Sequence, residues 1–159
     1  MPFYSGQIQL AAVGKMKTRH WLTAQQEYAG RIERYVKFTL VEVKDVVGRG
    51  VPDGVAMVQE GEQLLKATAE FSRRIALSPD GKLYTSEAFS RLLRKELETY
   101  GRVAFLIGGP LGFSSEALAT CDRQVSLSPL TFTHELARVL FLEQLYRAFT
   151  IMRGEPYHK

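Results

Sequence analysis

Two short segments place glycine or hydroxyl residues directly after an apolar strand pattern, which is how ligand-binding loops are often built. The first is Gly108–Gly112 (GGPLG), which follows the apolar run Val103–Ile107. Because glycine lacks a side chain, a flat ligand can approach the backbone closely at such a turn. The turn has neither the GxGxxG spacing of dinucleotide-binding loops nor the lysine of a Walker A loop. Taken alone, it fits a tight strand-to-helix turn without a ligand as well as it fits a binding loop.

The second segment is Leu127–Thr133 (LSPLTFT), which lies between a predicted strand and the last helix. Its backbone groups could hydrogen-bond to the edge of an adenine. The alternative is that Thr131 or Thr133 only caps the following helix. Two such loops after neighbouring strands would form two walls of one pocket, so each strengthens the interpretation of the other.

Polar residues near the carboxyl terminus form a third candidate group. His134, Arg138 and Arg147 interrupt an otherwise apolar helix, and Tyr157 and His158 stand just before the final lysine. An aromatic ring and an imidazole can stack on a nucleobase or hydrogen-bond to it. Terminal residues are, however, usually disordered. Residue types alone therefore favour a disordered tail without a role in a site.

Composition argues against several other classes of site. Cys121 is the only cysteine, so a disulfide framework or a thiolate zinc site cannot be built, and we predict no metal. No apolar run approaches the roughly 20 residues that span a bilayer, and Met1–Gly6 lacks the features of a signal peptide. We therefore expect a cytoplasmic protein without membrane contact.

The charge balance favours a polyanionic partner without identifying one. Lys and Arg number 21 against 17 Asp and Glu, which gives a net charge of +4 and a pI near 9.3. The cations are spread over Lys15/Lys17/Arg19, Arg31/Arg34/Lys37, Arg73/Arg74 and Arg91/Arg94/Lys95 rather than gathered in one tail. Solvated surface charge explains this distribution as well as an RNA-binding surface does.

Alternating periodicities predict the elements that must position these residues. Predicted strands are Gln7–Val13, Phe38–Val43, Ile75–Leu77, Val103–Ile107 and Gln124–Leu127. Predicted helices are Trp21–Val36, Val55–Phe71, one from Ser86 to before Gly101, a short one capped by Ser114 or Ser115, and Thr133–Gly154. A loop at Val46–Gly54 and a turn at Ser78–Gly81 separate them. This order predicts a single α/β domain over residues 1–159 with a mainly parallel sheet, and Val103–Ile107 at its centre.

The last helix carries more apolar residues than one buried stripe requires. We interpret the excess as a subunit interface. The alternative, a helix buried on all sides within one domain, would need more protein around it than a chain of this length offers.

Several of these segments together resemble a known family. FLIGGPLGF, and SLSPLTFTHELARVLFLEQLYRAFTIMRGEPYHK at the carboxyl terminus, are similar to the RlmH family of SPOUT-class methyltransferases, which methylate N3 of a pseudouridine in 23S ribosomal RNA. The resemblance extends upstream through IQLAAVGKMK, Glu60-Gly61-Glu62 and Ile75–Leu77, so it covers nearly the whole chain. Its most specific part is LYRA…RGEPYHK. Met1–Gly6 precedes the usual family start.

The resemblance implies a fold, a cofactor and a partner that periodicity could not show. The fold would be an α/β knot, a deep trefoil knot in which the carboxyl-terminal segment threads through a loop. The protein would be a homodimer that binds S-adenosylmethionine in the knot loops. The cofactor contacts implied by position are Leu77, Gly109 and the loop residues Ser128, Pro129, Leu130, Thr131, Phe132 and Thr133.

The resemblance also implies the reaction, an in-line attack of the pseudouridine N3 on the cofactor's methyl group, with 23S rRNA in assembled ribosomes as the expected substrate. We hypothesise that His134, Arg138, Tyr157 and His158 frame the base, and that the tail closes over the cofactor of the partner subunit. Which group accepts the N3 proton stays open. Two alternatives are a non-catalytic RNA-binding protein with the same fold, and a nucleotide-dependent kinase or dehydrogenase, which the missing phosphate-binding motifs disfavour.

Overall fold

The computed structural model describes residues 1–159 as a five-stranded sheet with helices on both faces. All strand pairs are parallel, in the order β2-β1-β4-β3-β5. The strands are β1 (Gln7–Val13), β2 (Lys37–Val43), β3 (Arg73–Leu83), β4 (Arg102–Ile107) and β5 (Arg123–Ser126). The predicted parallel α/β fold is therefore confirmed, and β4 is the central strand as expected.

Five helices alternate with the strands: α1 (Arg19–Ile32), α2 (Asp53–Ala67), α3 (Ser86–Tyr100), α4 (Ser115–Thr120) and α5 (His134–Met152). Side chains of Thr85, Ser114 and Thr133 cap α3, α4 and α5 by accepting a backbone N–H of the first turn. Gly101, with φ of +76°, ends α3 in a conformation that glycine adopts without strain. No helix combines the length and apolar character needed to cross a membrane.

The sheet is buried on both faces because its strands are apolar at successive positions. Leu10 and Phe105 face the larger core, formed with α1, α3 and α5. Ala11 and Leu106 point to the other face, where Leu64 of α2 joins them. Parallel strands bring their carboxyl ends to one edge of the sheet, where open α/β folds usually bind ligands.

Some predicted boundaries differ from the structure. Helix α1 ends at Ile32 rather than Val36, because the next residues turn back toward β2 while Tyr35 and Val36 remain buried. The turn predicted at Ser78–Gly81 lies inside strand β3. Both Leu77 and Lys82 pair with Val125, so the chain leaves the ladder between them and returns to it.

The first residues pack against the carboxyl-terminal part of the chain. The backbone N–H of Tyr4 donates to the carbonyl of Tyr35 at 2.7 Å. The Tyr4 ring lies 5.5 Å from that of Phe149, and the Arg153 guanidinium lies 3.7 Å from the ring centre of Phe3. Met1–Gly6, which precedes the family start, thus contacts α5 and the tail.

Candidate functional site

A cavity of about 710 Å³ lies at the carboxyl edge of the sheet, within the size range of small-molecule sites. Most of its lining comes from three segments: Leu77–Asp80 within β3, Ile107–Phe113 at the end of β4 and beyond it, and the chain from Ser126 through the start of α5. Leu118 of α4 completes it. Both loops singled out in the sequence thus form walls of one cavity. The predicted contact residues that line it are Leu77, Gly109, Ser128, Leu130, Thr131, Phe132, Thr133 and His134, whereas Pro129 does not.

The glycine turn after β4 is folded back on itself. The N–H of Gly112 donates to the carbonyl of Gly109 at 2.9 Å, and Gly112 has φ of +81°. A Cβ on Gly108 would lie 3.0 Å from the carbonyl carbon of Gly112. Glycine is therefore required here by close backbone approach and by a left-handed conformation, which the sequence pattern could only suggest.

Glu60 of α2 stands behind this turn. Its side chain is 2% exposed, and its Oε2 accepts the backbone N–H groups of Val46 and Val47 at 2.8 and 3.1 Å. Its Oε1 has no partner and lies 2.7 Å from where a Cβ of residue 109 would be. Glu60 therefore fixes the start of the predicted Val46–Gly54 loop and fills the space beside Gly109.

The loop between β5 and α5 is held by its own hydroxyl groups. Ser128 Oγ accepts the N–H of Leu130 at 3.0 Å, and Ser126 Oγ donates to the Ser128 carbonyl at 3.0 Å. Thr133 Oγ1 accepts the N–H of Leu136 and caps α5. The capping interpretation is thus correct for Thr133, and the same loop also lines the cavity.

Two titratable residues line the cavity, His134 and Asp80. His134 is the first residue of α5, so its position is set by the capped helix start. Asp80 was not identified from the sequence, although it lies in the Ser-Pro-Asp-Gly segment that follows the apolar part of β3. An imidazole can accept or donate a proton near neutral pH, and a carboxylate attracts a cationic group.

Arg138 lies one helical turn beyond His134 but does not line the cavity. It is 1% exposed, and its guanidinium forms an ion pair with Glu42 of β2. Nη2 also donates to the carbonyl of Gly14 at 2.9 Å. Arg138 therefore ties α5 to the ends of β1 and β2.

The tail residues Tyr157 and His158 also lie outside this cavity, against α3 and α5. The Tyr157 hydroxyl donates to Glu143 at 2.9 Å, and the His158 ring nitrogens contact Arg147 at 3.1 Å and Glu87 at 2.6 Å. Burial, together with this hydrogen bond, raises the pKa of Tyr157 to about 12. The tail is therefore docked rather than free, and Tyr157 is a phenol at neutral pH.

A smaller cavity of about 280 Å³ adjoins the first and shares Leu77, Ser126, Leu127 and Phe132 with it. Most of its walls are apolar. The subunit interface predicted on α5 stays a prediction. The helix packs between α1 and α3, which buries Val139, Leu142, Leu145 and Phe149 within the subunit. Leu136, Leu140 and Tyr146 remain half-buried on it.

Comparison with known proteins identifies relatives over nearly the whole chain. A family model described as "Predicted SPOUT methyltransferase" matches residues 7–158. A protein from Listeria welshimeri named "Ribosomal RNA large subunit methyltransferase H" is 44% identical over 158 residues, with 96% of this chain and 99% of the relative covered. One of the same name from Clostridium kluyveri is 38% identical, with 96% and 99% covered.

Among solved structures, a "Probable Methyltransferase" from Bordetella pertussis Tohama I is similar with a TM-score of 0.57. Its sequence identity is 15%, and the match covers 90% of this chain and 96% of that one. At this identity the likeness shows a shared fold. The family is shown by the sequence matches.

Proposed function

The chain belongs to the SPOUT methyltransferase family, and from that premise we propose that it transfers a methyl group from S-adenosylmethionine to N3 of a pseudouridine in 23S ribosomal RNA. The observation that carries this proposal is the cavity at the carboxyl edge of the sheet, whose walls are the two loops of the family motif. The names of relatives at 38 and 44% identity support the ribosomal RNA substrate.

The residues of the cavity fit S-adenosylmethionine. The cavity of about 710 Å³ is large enough for a ligand of this size, and the glycine turn contributes backbone groups to its lining. Leu77, the backbone of Ser128 and Leu130–Thr133 and the Gly109 turn would hold the adenosine part, whereas the Asp80 carboxylate would attract the ammonium or sulfonium group of the cofactor. When bound, the cofactor supplies an electrophilic methyl group.

The chain's own residues would orient the base and manage its proton. His134 lines the same cavity as the glycine turn, and its imidazole is the candidate for hydrogen bonding to the base or accepting the N3 proton. Tyr157, as a phenol, would donate a hydrogen bond or stack but not act as a base. Arg138 would act by positioning α5 rather than by touching the base.

We propose a homodimer in which Tyr157 and His158 complete the cavity of the partner subunit. Their position outside the cavity of their own subunit supports this arrangement. Ribosomal RNA as substrate would place the protein in the cytoplasm, with assembled ribosomes as the expected target.

We also propose that the fold is knotted, as the family resemblance implies. The two loops that would interlock, Gly108–Gly112 and Leu127–Thr133, lie side by side along the cavity. Pulling a single molecule from both ends tests this. An unknotted chain of 159 residues would extend to about 540 Å, at roughly 3.4 Å per residue, whereas a knotted chain would stop measurably short of that length.

Mass spectrometry of 23S rRNA tests the assignment. A strain without this protein should lack N3-methylpseudouridine, and a plasmid copy of the gene should restore it. Unchanged modification in the deletion strain would defeat the specific substrate while leaving a related methyltransferase activity open.

Calorimetry with S-adenosylmethionine separates an enzyme from a binding protein of the same fold. We expect saturable binding to the folded protein. No binding at millimolar cofactor would favour a non-catalytic RNA-binding role.

A chain truncated before Tyr157 should still bind the cofactor but lose RNA methylation. Wild-type activity in that variant would disprove the role of the tail.

A further inference from the structure

The connection from β1 to α1, together with the first residue of α1, carries three cations without ion-pair partners. Lys15, Lys17 and Arg19 are all exposed, and none lies within 4.0 Å of a carboxylate oxygen. We refer to residues 15–19 as the cationic segment. Many arginines elsewhere are paired, among them Arg31, Arg73, Arg123 and Arg147. The segment therefore places three unpaired cations within five residues.

The backbone of the cationic segment is held in place while its charged side chains face solvent. The N–H of Met16 donates to Glu42 at 2.8 Å, and the Met16 side chain is 7% exposed. The N–H of Lys17 donates to Glu135 of α5 at 2.8 Å. A fixed backbone lowers the conformational entropy that a binding event would cost.

The carboxylates nearest to the segment are already engaged. Arg49 donates to both oxygens of Asp45 at 3.1 and 3.2 Å and keeps the pKa of that carboxyl below its usual value. Hydrogen bonds from Thr18 and Lys17 lower the pKa of Glu135 in the same way. Glu42 is paired with Arg138. These groups shape the segment without forming ion pairs with its cations.

The cationic segment lies beside the cavity. Glu135, which binds its backbone, directly follows His134 in the first turn of α5, and His134 lines the cavity. Strand β1, from which the segment emerges, is paired with β4, from which the glycine turn emerges. An RNA strand whose base enters the cavity would therefore have its backbone close to these cations.

We propose that Lys15, Lys17 and Arg19 bind phosphate groups of the ribosomal RNA strand that presents its base to the cavity. This inference rests on the proposed function and adds the protein surface that binds the backbone of the substrate RNA. Phosphate contacts fix the position and register of a nucleic acid without reading its sequence. They also make binding salt-dependent, because each neutralised phosphate releases counterions.

Binding to ribosomes at several salt concentrations, without cofactor, tests the proposal. The test variant is Lys15→Gln/Lys17→Gln/Arg19→Gln, and the matched control is Lys37→Gln/Arg91→Gln/Lys95→Gln. The control residues are also exposed and unpaired, and lie on β2 and α3. Both variants lose three positive charges. The test variant should bind about tenfold or more weakly, with the salt slope reduced by about 1 per lost contact, whereas the control should change by less than about twofold.

Each other outcome overturns the proposal. Unchanged affinity of the test variant would show that the segment does not contact RNA. Equal losses in both variants would show that net charge rather than local contact attracts the ribosome. A changed oligomeric state of the test variant in sedimentation, with ribosome affinity unaltered, would instead make the segment a subunit contact.

Kinetic measurements keep this inference separate from the proposed function. The test variant should show a raised KM for ribosomes with kcat and cofactor affinity near the wild-type values. A wild-type protein that binds ribosomes through the segment but transfers no methyl group would refute the proposed function and leave the RNA contact standing.

Discussion

The identity of individual residues near this site is constrained by their contacts with the rest of the protein. Gly109 shows this most clearly, because the free Oε1 of Glu60 occupies the space beside it. Arg138 shows the converse: its chemistry suits base recognition, but its two terminal nitrogens bind Glu42 and the carbonyl of Gly14, and its Nε has no partner.

Substituting Gly109 by alanine should weaken S-adenosylmethionine binding by about tenfold or more, roughly 1.4 kcal/mol. The new Cβ would lie 2.7 Å from Glu60 Oε1 and 3.4 Å from a methyl carbon of Val13, so the turn must move. Calorimetry measures the change. Gly30→Ala is the control, since a Cβ there meets no atom within 4 Å. If Gly109→Ala/Glu60→Ala binds no better than Gly109→Ala, this clash is not the cause.

Replacing Arg138 should act first on stability. Arg138→Met removes the guanidinium from Glu42, which keeps the Met16 N–H, and from the Gly14 carbonyl. It should lower the free energy of unfolding by about 2 kcal/mol, less than for a fully buried pair because Glu42 is 29% exposed. Urea unfolding measures this change. Arg138→Lys should recover part of the stability and of kcat. A lysine variant of wild-type stability that transfers no methyl group would instead support the original hypothesis of a base contact.

At the scale of elements, one buried carboxylate joins three of them. Glu96 of α3 accepts hydrogen bonds from Arg73 of β3 at 2.8 and 3.0 Å and from Arg123 of β5 at 2.7 Å. Burial opposes ionisation of Glu96, but the two guanidinium groups outweigh it and hold its pKa below the usual value of 4.5. Through these two ion pairs, Glu96 links α3 to strands β3 and β5, which carry Leu77 and the loop after β5.

The lowered pKa of Glu96 predicts an acid-sensitive part of stability. Its contribution should be complete above pH 4.5, its ordinary pKa, and should be lost as the pH falls through the lower folded value. Glu96→Gln should therefore cost roughly 1 to 3 kcal/mol at neutral pH and show a flatter acid limb in urea unfolding. Glu98→Gln, at an exposed position with one 3.9 Å ion pair, is the control. Parallel acid limbs in wild type and Glu96→Gln would contradict this account.

At the scale of the whole molecule, the cavity and the tail lie apart within one subunit. Tyr157 and His158 contact Glu143, Arg147 and Glu87 instead of the loops that line the cavity. A second copy of the chain would bring them together if the proposed dimer is correct.

Mixing two impaired variants should restore activity when S-adenosylmethionine is kept well below the dissociation constant of Gly109→Ala. Gly109→Ala supplies an intact tail, and the chain truncated before Tyr157 supplies an intact cavity. Random subunit exchange makes half of the dimers mixed, each with one complete site, so the mixture should reach about one quarter of wild-type methylation. Incorporation of labelled methyl into ribosomes measures it. No recovery despite proven subunit exchange would mean that each site uses its own tail.

Local sequence determined much of the fold and part of the site. Strand β1 was predicted with its observed limits, and the cap at Thr133 and the end of α3 at Gly101 also followed from neighbouring residues. Such features depend on contacts a few positions apart, which periodicity reports. The two loops and the family were likewise readable, because their motifs are contiguous.

Tertiary structure alone decided what the isolated polar residues do. Arg138 meets Glu42 across 96 positions, and His158 meets Glu87 across 71. The same long-range packing places Glu60 behind Gly109 and Asp80 on the cavity wall. Sequence spacing cannot show such contacts, because the order of strands in the sheet, rather than distance along the chain, determines which side chains become neighbours.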